Sequence, residues 1–201
     1  MSTDHPLHFN IDYPEKLSRG ILILRLFFGW LYVGIPHFFI LGFLGIAVGF
    51  VSFIAWWAIL FTGKYPQGMF NFVVGYQRWM QRVMAYMGYM TDKYPPFSTK
   101  EVEGNPVHYN IDYPEKLSRG ILILRLFFGA LYCALPHYFI LMFLAIAVGF
   151  ISFIAWWAIL FTGKYPQGMF NFVVNYNRWM LRVGAYMNYM TDKYPPFNGK
   201  E

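Results

Sequence analysis

Two long uncharged stretches dominate the hydropathy pattern. Between Arg25 and Lys64, 38 consecutive residues lack Asp, Glu, Lys and Arg, and the same holds between Arg125 and Lys164. Runs of roughly 18 or more apolar residues are candidate membrane spans. As one helix, each stretch would extend about 57 Å, nearly twice a hydrocarbon core of about 30 Å. Pro36 falls near the first third of the run and has no N–H to give a helix interior. A break there predicts a first helix from Ser18 to Ile35, a turn at Ile35-Pro36-His37, and a second helix from Phe38 to Thr62. The expected unit is an antiparallel transmembrane hairpin.

A different periodicity follows Pro66. On a helical wheel from Asn71, Phe72, Tyr76, Trp79, Met80, Val83, Tyr86, Met87 and Met90 share one arc, while Asn71, Gln77, Arg78, Gln81 and Arg82 lie opposite. This predicts an amphipathic helix in the cytoplasmic interface, apolar face toward acyl chains. Packing of that face on a neighbouring subunit is the alternative. Either reading keeps Arg78 and Arg82 near phosphate or water. Tyr94-Pro95-Pro96-Phe97 stops the helix.

The whole pattern occurs twice. From His8 to Glu101, 78 of 94 positions are identical 100 residues later, so units are expected at 1–101 and 102–201. The joint Val102-Glu103-Gly104-Asn105-Pro106 has linker composition. The expected architecture is an all-α integral membrane protein: two tandem transmembrane helical hairpins, four spans in all, each hairpin followed by a cytoplasmic amphipathic interfacial helix. Lys16 precedes the first predicted helix and Arg19 lies in its opening turn, and Lys64, Arg78 and Arg82 follow the second. The positive-inside rule then puts both termini in the cytoplasm, His37 and His137 outside, and the repeats in parallel topology. Among the differences, Trp30 and Gly42 become Ala130 and Met142, which predicts that these positions face each other across the hairpin.

Composition narrows the function classes. The chain of 201 residues is 57% hydrophobic and only 13% charged, with net charge +6, against about 25% charged in soluble domains. The single cysteine, Cys133, excludes a disulfide scaffold, and the polar segment before Gly20 does not read as a signal peptide. Basic residues divide among membrane-flanking positions, which argues against nucleic-acid binding. No phosphate-loop, nucleophile-elbow, metalloprotease or C-x-x-C motif occurs. No catalytic residue is expected, and the chain reads as no enzyme.

The succession YPEKLSR, a hydrophobic hairpin with PH at its bend, FTGKYPQGMFNFVV, RW, RV-AY and TDKYPPF resembles a bacterial family of membrane proteins of unknown function. The resemblance covers nearly all of both units; the tandem duplication departs from it. It implies a membrane location and this hairpin layout and supplies no catalytic residues; the location expected here is the bacterial inner (cytoplasmic) membrane.

Candidate contacts for lipid or a partner remain. Arg25 and Arg125 sit inside the first predicted helix of each unit, where an arginine snorkels to headgroups, makes a structural hydrogen bond or binds lipid phosphate. Arg78, Arg82, Arg178 and Arg182, with Trp79 and Trp179, belong to the amphipathic helices. His37 and His137 at the predicted bends could in principle pair on a haem, a reading disfavoured because one histidine per unit stands without nearby carboxylate or thiolate. No cofactor and no metal site is therefore expected. The leading expectation is a non-catalytic membrane scaffold or accessory subunit, a homo-oligomer or part of a membrane complex, acting through lipid contacts and in some settings shaping the membrane. A channel, or a binder or transporter of lipid or another apolar ligand with its site between the repeats, is the alternative.

Overall fold

In the computed structural model, which describes residues 5–200, each uncharged stretch except its final glycine lies within one continuous helix. The first repeat contains β1 (Leu7–Ile11), α1 (Arg19–Gly29), a π-helical segment (Trp30–Gly34), α2 (Ile35–Thr62) and α3 (Gln67–Met87). The second repeats them as β2 (Val107–Ile111), α4 (Arg119–Gly129), a π-helical segment (Ala130–Ala134), α5 (Leu135–Thr162) and α6 (Gln167–Met187). Because the π turns keep the chain helical, α1 and α2 form one helix of 44 residues, as do α4 and α5. The described fold is thus mostly helical, with two long helices and two shorter ones.

The predicted turn at Pro36 is absent, and with it the hairpin of two spans per repeat. Proline in a helix costs a hydrogen bond and crowds the carbonyl four residues back. Both penalties are absorbed locally. The π segment widens the helix by one residue, the Ile35 N–H donating to Trp30 O, and Pro36 falls in the opening turn of α2. The carbonyl that Pro36 cannot serve is Tyr32 O, and it accepts the Tyr94 hydroxyl at 3.1 Å. Tyr194 does the same for Tyr132 O.

The ends of the long helices follow ordinary capping chemistry. Ser18 accepts the Ile21 N–H at 3.3 Å as N-cap. Gly63, at φ 72°, closes the C-terminus in the left-handed conformation that a side chain disfavours. Four residues from Gly63 to Pro66 then reverse the chain, and α3 runs back along α2. Trp79, Val83 and Tyr86 bury against Val33 and Leu41 of the long helix. The apolar face of α3 therefore packs on its own repeat, correcting the expected interfacial helix. Part of its polar arc is covered too: Gln81 and Arg82 are buried, and Arg82 donates to Lys100 O of the chain that follows.

The lead-in segments form strands, which the helical reading had not anticipated. β1 and β2 pair antiparallel with Phe9 opposite Tyr109. Leu7, Phe9, Ile11, Val107, Tyr109 and Ile111 turn inward, and the residues between them outward. A lone two-stranded ribbon is marginal in water. Here its inner face packs β1 on α6 and β2 on α3, so each repeat lends its strand to the other's helix. His8 bonds Asp112 and His108 bonds Asp12, each at 3.0 Å, which ties the two strand ends together.

Further bonds join helix ends across the repeats. Leu17 N–H donates to Gly163 O and Leu117 N–H to Gly63 O, both at 2.8 Å, while α1 packs on α5 and α4 on α2. The start of each long helix thus meets the end of the other, and the two run antiparallel. One main core draws on both repeats, from Leu22, Ile59 and Phe70 to their counterparts Leu122, Ile159 and Phe170.

Candidate functional site

Each sequence-selected arginine lies in a buried or half-buried network. Arg25, on the buried face of α1, is 4% exposed. It donates to the carbonyls of Tyr86 and Thr91 at 2.6 and 2.8 Å, to Ile21 O at 3.4 Å, and to Asp92 Oδ1 at 2.5 Å. The other Asp92 oxygen accepts the Ser18 N–H at 2.5 Å, so one carboxylate neutralises Arg25 and secures the start of the helix. Arg25 also lies over the Tyr86 ring, 4.6 Å from its centroid. Arg125 repeats this set with Tyr186, Thr191 and Asp192. The structural-hydrogen-bond reading of Arg25 and Arg125 is the one realised. Their partners Asp92 and Asp192 were missed because each lies 67 residues from its arginine; the sequence signal was an arginine within the apolar run and an aspartate present together in each copy.

Arg78 and Arg82 staple the polypeptide that follows α3. Arg78 donates to Tyr109 O and Thr99 O, both at 3.1 Å, and pairs with Glu101 at 3.0 Å. Arg82 holds Lys100 O at 2.9 Å. In the second repeat Arg178 takes Phe9 O and Gly199 O, both at 2.7 Å, and Arg182 takes Lys200 O at 2.8 Å. These guanidinium groups join tail, ribbon and helix, in place of the expected phosphate or water.

His37 is fully buried inside the long helix, not at an external bend. Its Nδ1 accepts the Trp79 indole N–H at 2.9 Å, its Nε2 lies 3.2 Å from Tyr94 Oη, and its ring stacks on Phe97 at 3.9 Å. With Nδ1 accepting, the neutral ring carries its proton on Nε2 and donates to Tyr94, which donates onward to Tyr32 O. Trp79 and His37 thus feed the bond chain that caps the carbonyl freed by Pro36. Trp179 and His137 stand in the same relation at 2.9 Å. His37 and His137 are each packed within their own repeat, and Trp79 and Trp179 are buried rather than lipid-facing.

The expected contact between Trp30 and Gly42 does not form, because one helix carries both. Open space surrounds Gly42, whereas a Cβ on Gly34 would lie 2.6 Å from the Trp30 ring. The compensating pair is Trp30 with Gly34, replaced by Ala130 with Ala134, one turn apart.

What remains open to the surroundings is the outer flank of the long helices. Among the described residues, 40 large hydrophobic side chains are exposed, and 35 of them belong to these two helices. Phe27, Phe39, Phe43, Phe50, Phe53 and Phe61 are each between 63% and 72% exposed. They follow one stripe at three- and four-residue spacing, opposite Val33, His37 and Leu41, which face α3. Lys16, Arg19, Lys64, Lys116, Arg119 and Lys164 are exposed at the helix ends. A cleft of about 340 Å³ lies between the repeats, lined by Ser52, Phe53, Trp56, Leu126 and Tyr189.

The fold and surface define a mostly helical protein with two helices, Arg19–Thr62 and Arg119–Thr162, long and apolar enough to cross a membrane; only 11% of the most apolar window of each is buried. The sequence matches one family twice, at residues 22–99 and 122–198, and the chain belongs to that family: the domain of unknown function DUF4389, present here as a tandem pair. No curated protein and no solved structure matches.

Proposed function

We propose that this protein is a non-catalytic membrane scaffold or accessory subunit of the bacterial inner membrane, with both termini cytoplasmic. It works through lipid contacts and self-association, and shapes the bilayer where copies gather. One observation carries the reading: nearly all exposed large hydrophobics lie on the two long helices, with exposed basic residues at the helix ends. Soluble monomers rarely expose contiguous apolar patches beyond a few hundred Å². The titratable groups buried within the fold serve its packing, which leaves the surface as the output. Co-flotation with phosphatidylethanolamine–phosphatidylglycerol vesicles, with light-scattering mass in mild detergent, tests both halves. Flotation and a discrete oligomer are expected; a protein left at the bottom of the gradient, or one that is strictly monomeric with no partner in the membrane extract, refutes the scaffold.

A second reading has its own support in the cleft between the repeats, whose lining is almost entirely apolar. A carrier of a lipid or another apolar ligand would copurify with that ligand in stoichiometric amount. Native mass spectrometry without bound lipid removes this reading.

A further inference from the structure

We infer that the two long helices lie in the plane of the membrane, immersed in the acyl chains of one leaflet, instead of crossing it. The inference rests on the membrane reading above and specifies its geometry.

Length is the first ground. The uncharged part of each helix extends about 57 Å, so a crossing orientation would leave about half of it outside a hydrocarbon core of about 30 Å. Tilt and kinking accommodate a few surplus residues, not a twofold excess.

Charge placement is the second. The centre of the Arg19–Thr62 helix lies near His37 and Leu41, and Trp79 packs on both. Beside Trp79 in sequence, Arg78 holds Glu101, whose side chain is 78% exposed, with exposed Lys100 next to it. Were this helix a span, that open carboxylate and ammonium would stand level with the bilayer midplane. Charges there are strongly disfavoured and are usually turned into the protein interior. Glu101 instead faces outward.

The third ground is sidedness. The inner face of the β1–β2 ribbon packs on α3 and α6 at once, which sets both of these helices on the ribbon side of the molecule. The phenylalanine stripe of each long helix points away from its α3 or α6 partner. One side of the molecule is therefore apolar, with Lys16, Lys64, Lys116 and Lys164 at its ends, at the height of anionic headgroups. The opposite side carries the ribbon, the tails and the exposed Lys93, Glu101 and Glu103. Immersing the first side in a leaflet satisfies both without moving any element. A body that occupies only one leaflet expands it relative to the other, which gives the proposed shaping activity a mechanism.

The test uses the full chain in sealed phosphatidylethanolamine–phosphatidylglycerol vesicles. Phe27→Cys, Phe39→Cys, Phe50→Cys and Phe61→Cys, each in a Cys133→Ser background, carry an environment-sensitive fluorophore. Lipids brominated at shallow or deep acyl positions quench it. All four sites are exposed, so the label displaces only surface ring contacts with Phe43 and Trp57. The expected result is a fluorescence loss of similar size at all four positions, larger with shallow than with deep bromines. A graded profile, deepest at positions 39 and 50 and shallow at 27 and 61, means a crossing helix and overturns the in-plane placement while the membrane reading stands. Flotation without quenching at any position means that a second copy covers the stripe, which also overturns it. Failure of the Cys133→Ser parent to float removes the membrane reading itself, and the inference with it. As an independent readout, Glu101→Cys and Lys64→Cys should react with an impermeant maleimide from the same side of the vesicle; reaction from opposite sides refutes in-plane placement.

Discussion

Gly75→Asn should destabilise the protein, and Thr99→Gly should recover most of the loss. A Cβ on Gly75 of α3 would come 2.9 Å from Thr99 O and 3.0 Å from Thr99 Cβ, closer than side chains normally approach. The second repeat solves the same contact in reverse, with Asn175 on the helix and Gly199 on the tail, where a Cβ on Gly199 would run into the Asn175 carbonyl. The tail of the first repeat cannot simply withdraw. Thr99 O accepts from Arg78, which also holds Tyr109 O of the ribbon, so displacement strains three elements. Overpacking of this kind costs about 1–3 kcal/mol. The gain in helix propensity on replacing glycine returns a few tenths, which leaves about 2 kcal/mol. For a chain of this size that is a fall in Tm of about 4–8 °C. Thermal unfolding in mild detergent, followed by helical circular dichroism, gives the four corners of a double-mutant cycle. Gly75→Asn with Thr99→Gly reproduces the second-repeat arrangement, and a coupling of about 1 kcal/mol or more is expected. Additive effects would mean that helix and tail do not touch here, and the stapling role of Arg78 would fall with them.

Three further outcomes follow from buried polar groups. Asp92→Ala leaves the Arg25 guanidinium buried without its counter-charge and should cost about 3–5 kcal/mol; Arg25→Met added to it should lower that loss, whereas no change in Tm for Asp92→Ala contradicts the pairing. Tyr94→Phe strips the donor from Tyr32 O and should cost about 0.5–1.5 kcal/mol; Pro36→Ala restores a backbone N–H and should offset it, and equal Tm values for Tyr94→Phe and wild type would refute the cap. His5 accepts the Leu7 N–H at 3.1 Å, and burial, then the Arg182 and Lys193 cations, lower its pKa to about 4. Its contribution is complete above about pH 6.5 and is lost as pH falls toward about 4, because the unfolded chain takes up the proton first. His5→Asn copies Asn105, which makes the same bond to Val107, and should flatten this part of the Tm–pH profile; identical profiles for variant and wild type would sink the assignment.

Several features were legible in the chain alone because they rest on local chemistry. The two copies, the uncharged runs and the period of α3 are properties of residue order, and they predict apolar helices and an amphipathic one without reference to neighbours. The apolar residues that the long helices expose were part of that pattern, though not the side to which they point. So was the alternation Leu7-His8-Phe9-Asn10-Ile11, a strand signal that the helical context overshadowed.

What the tertiary structure decided is where these elements turn and what each buried charge meets. Pro36 reads as a break because proline withdraws one hydrogen bond from a helix, a cost set by sequence. Whether the helix breaks depends on another donor reaching the stranded carbonyl. That donor is Tyr94, 62 residues away, held by His37 and Trp79. Arg25 looks like a charge in search of a headgroup until the fold brings Asp92 and two carbonyls to it. The amphipathic face of α3 fits a membrane surface and a neighbouring helix equally well by composition. The reversal between Gly63 and Pro66 brings it back onto α2. Local pattern determines which side chains must be shielded, and only the assembled chain determines which partner shields them.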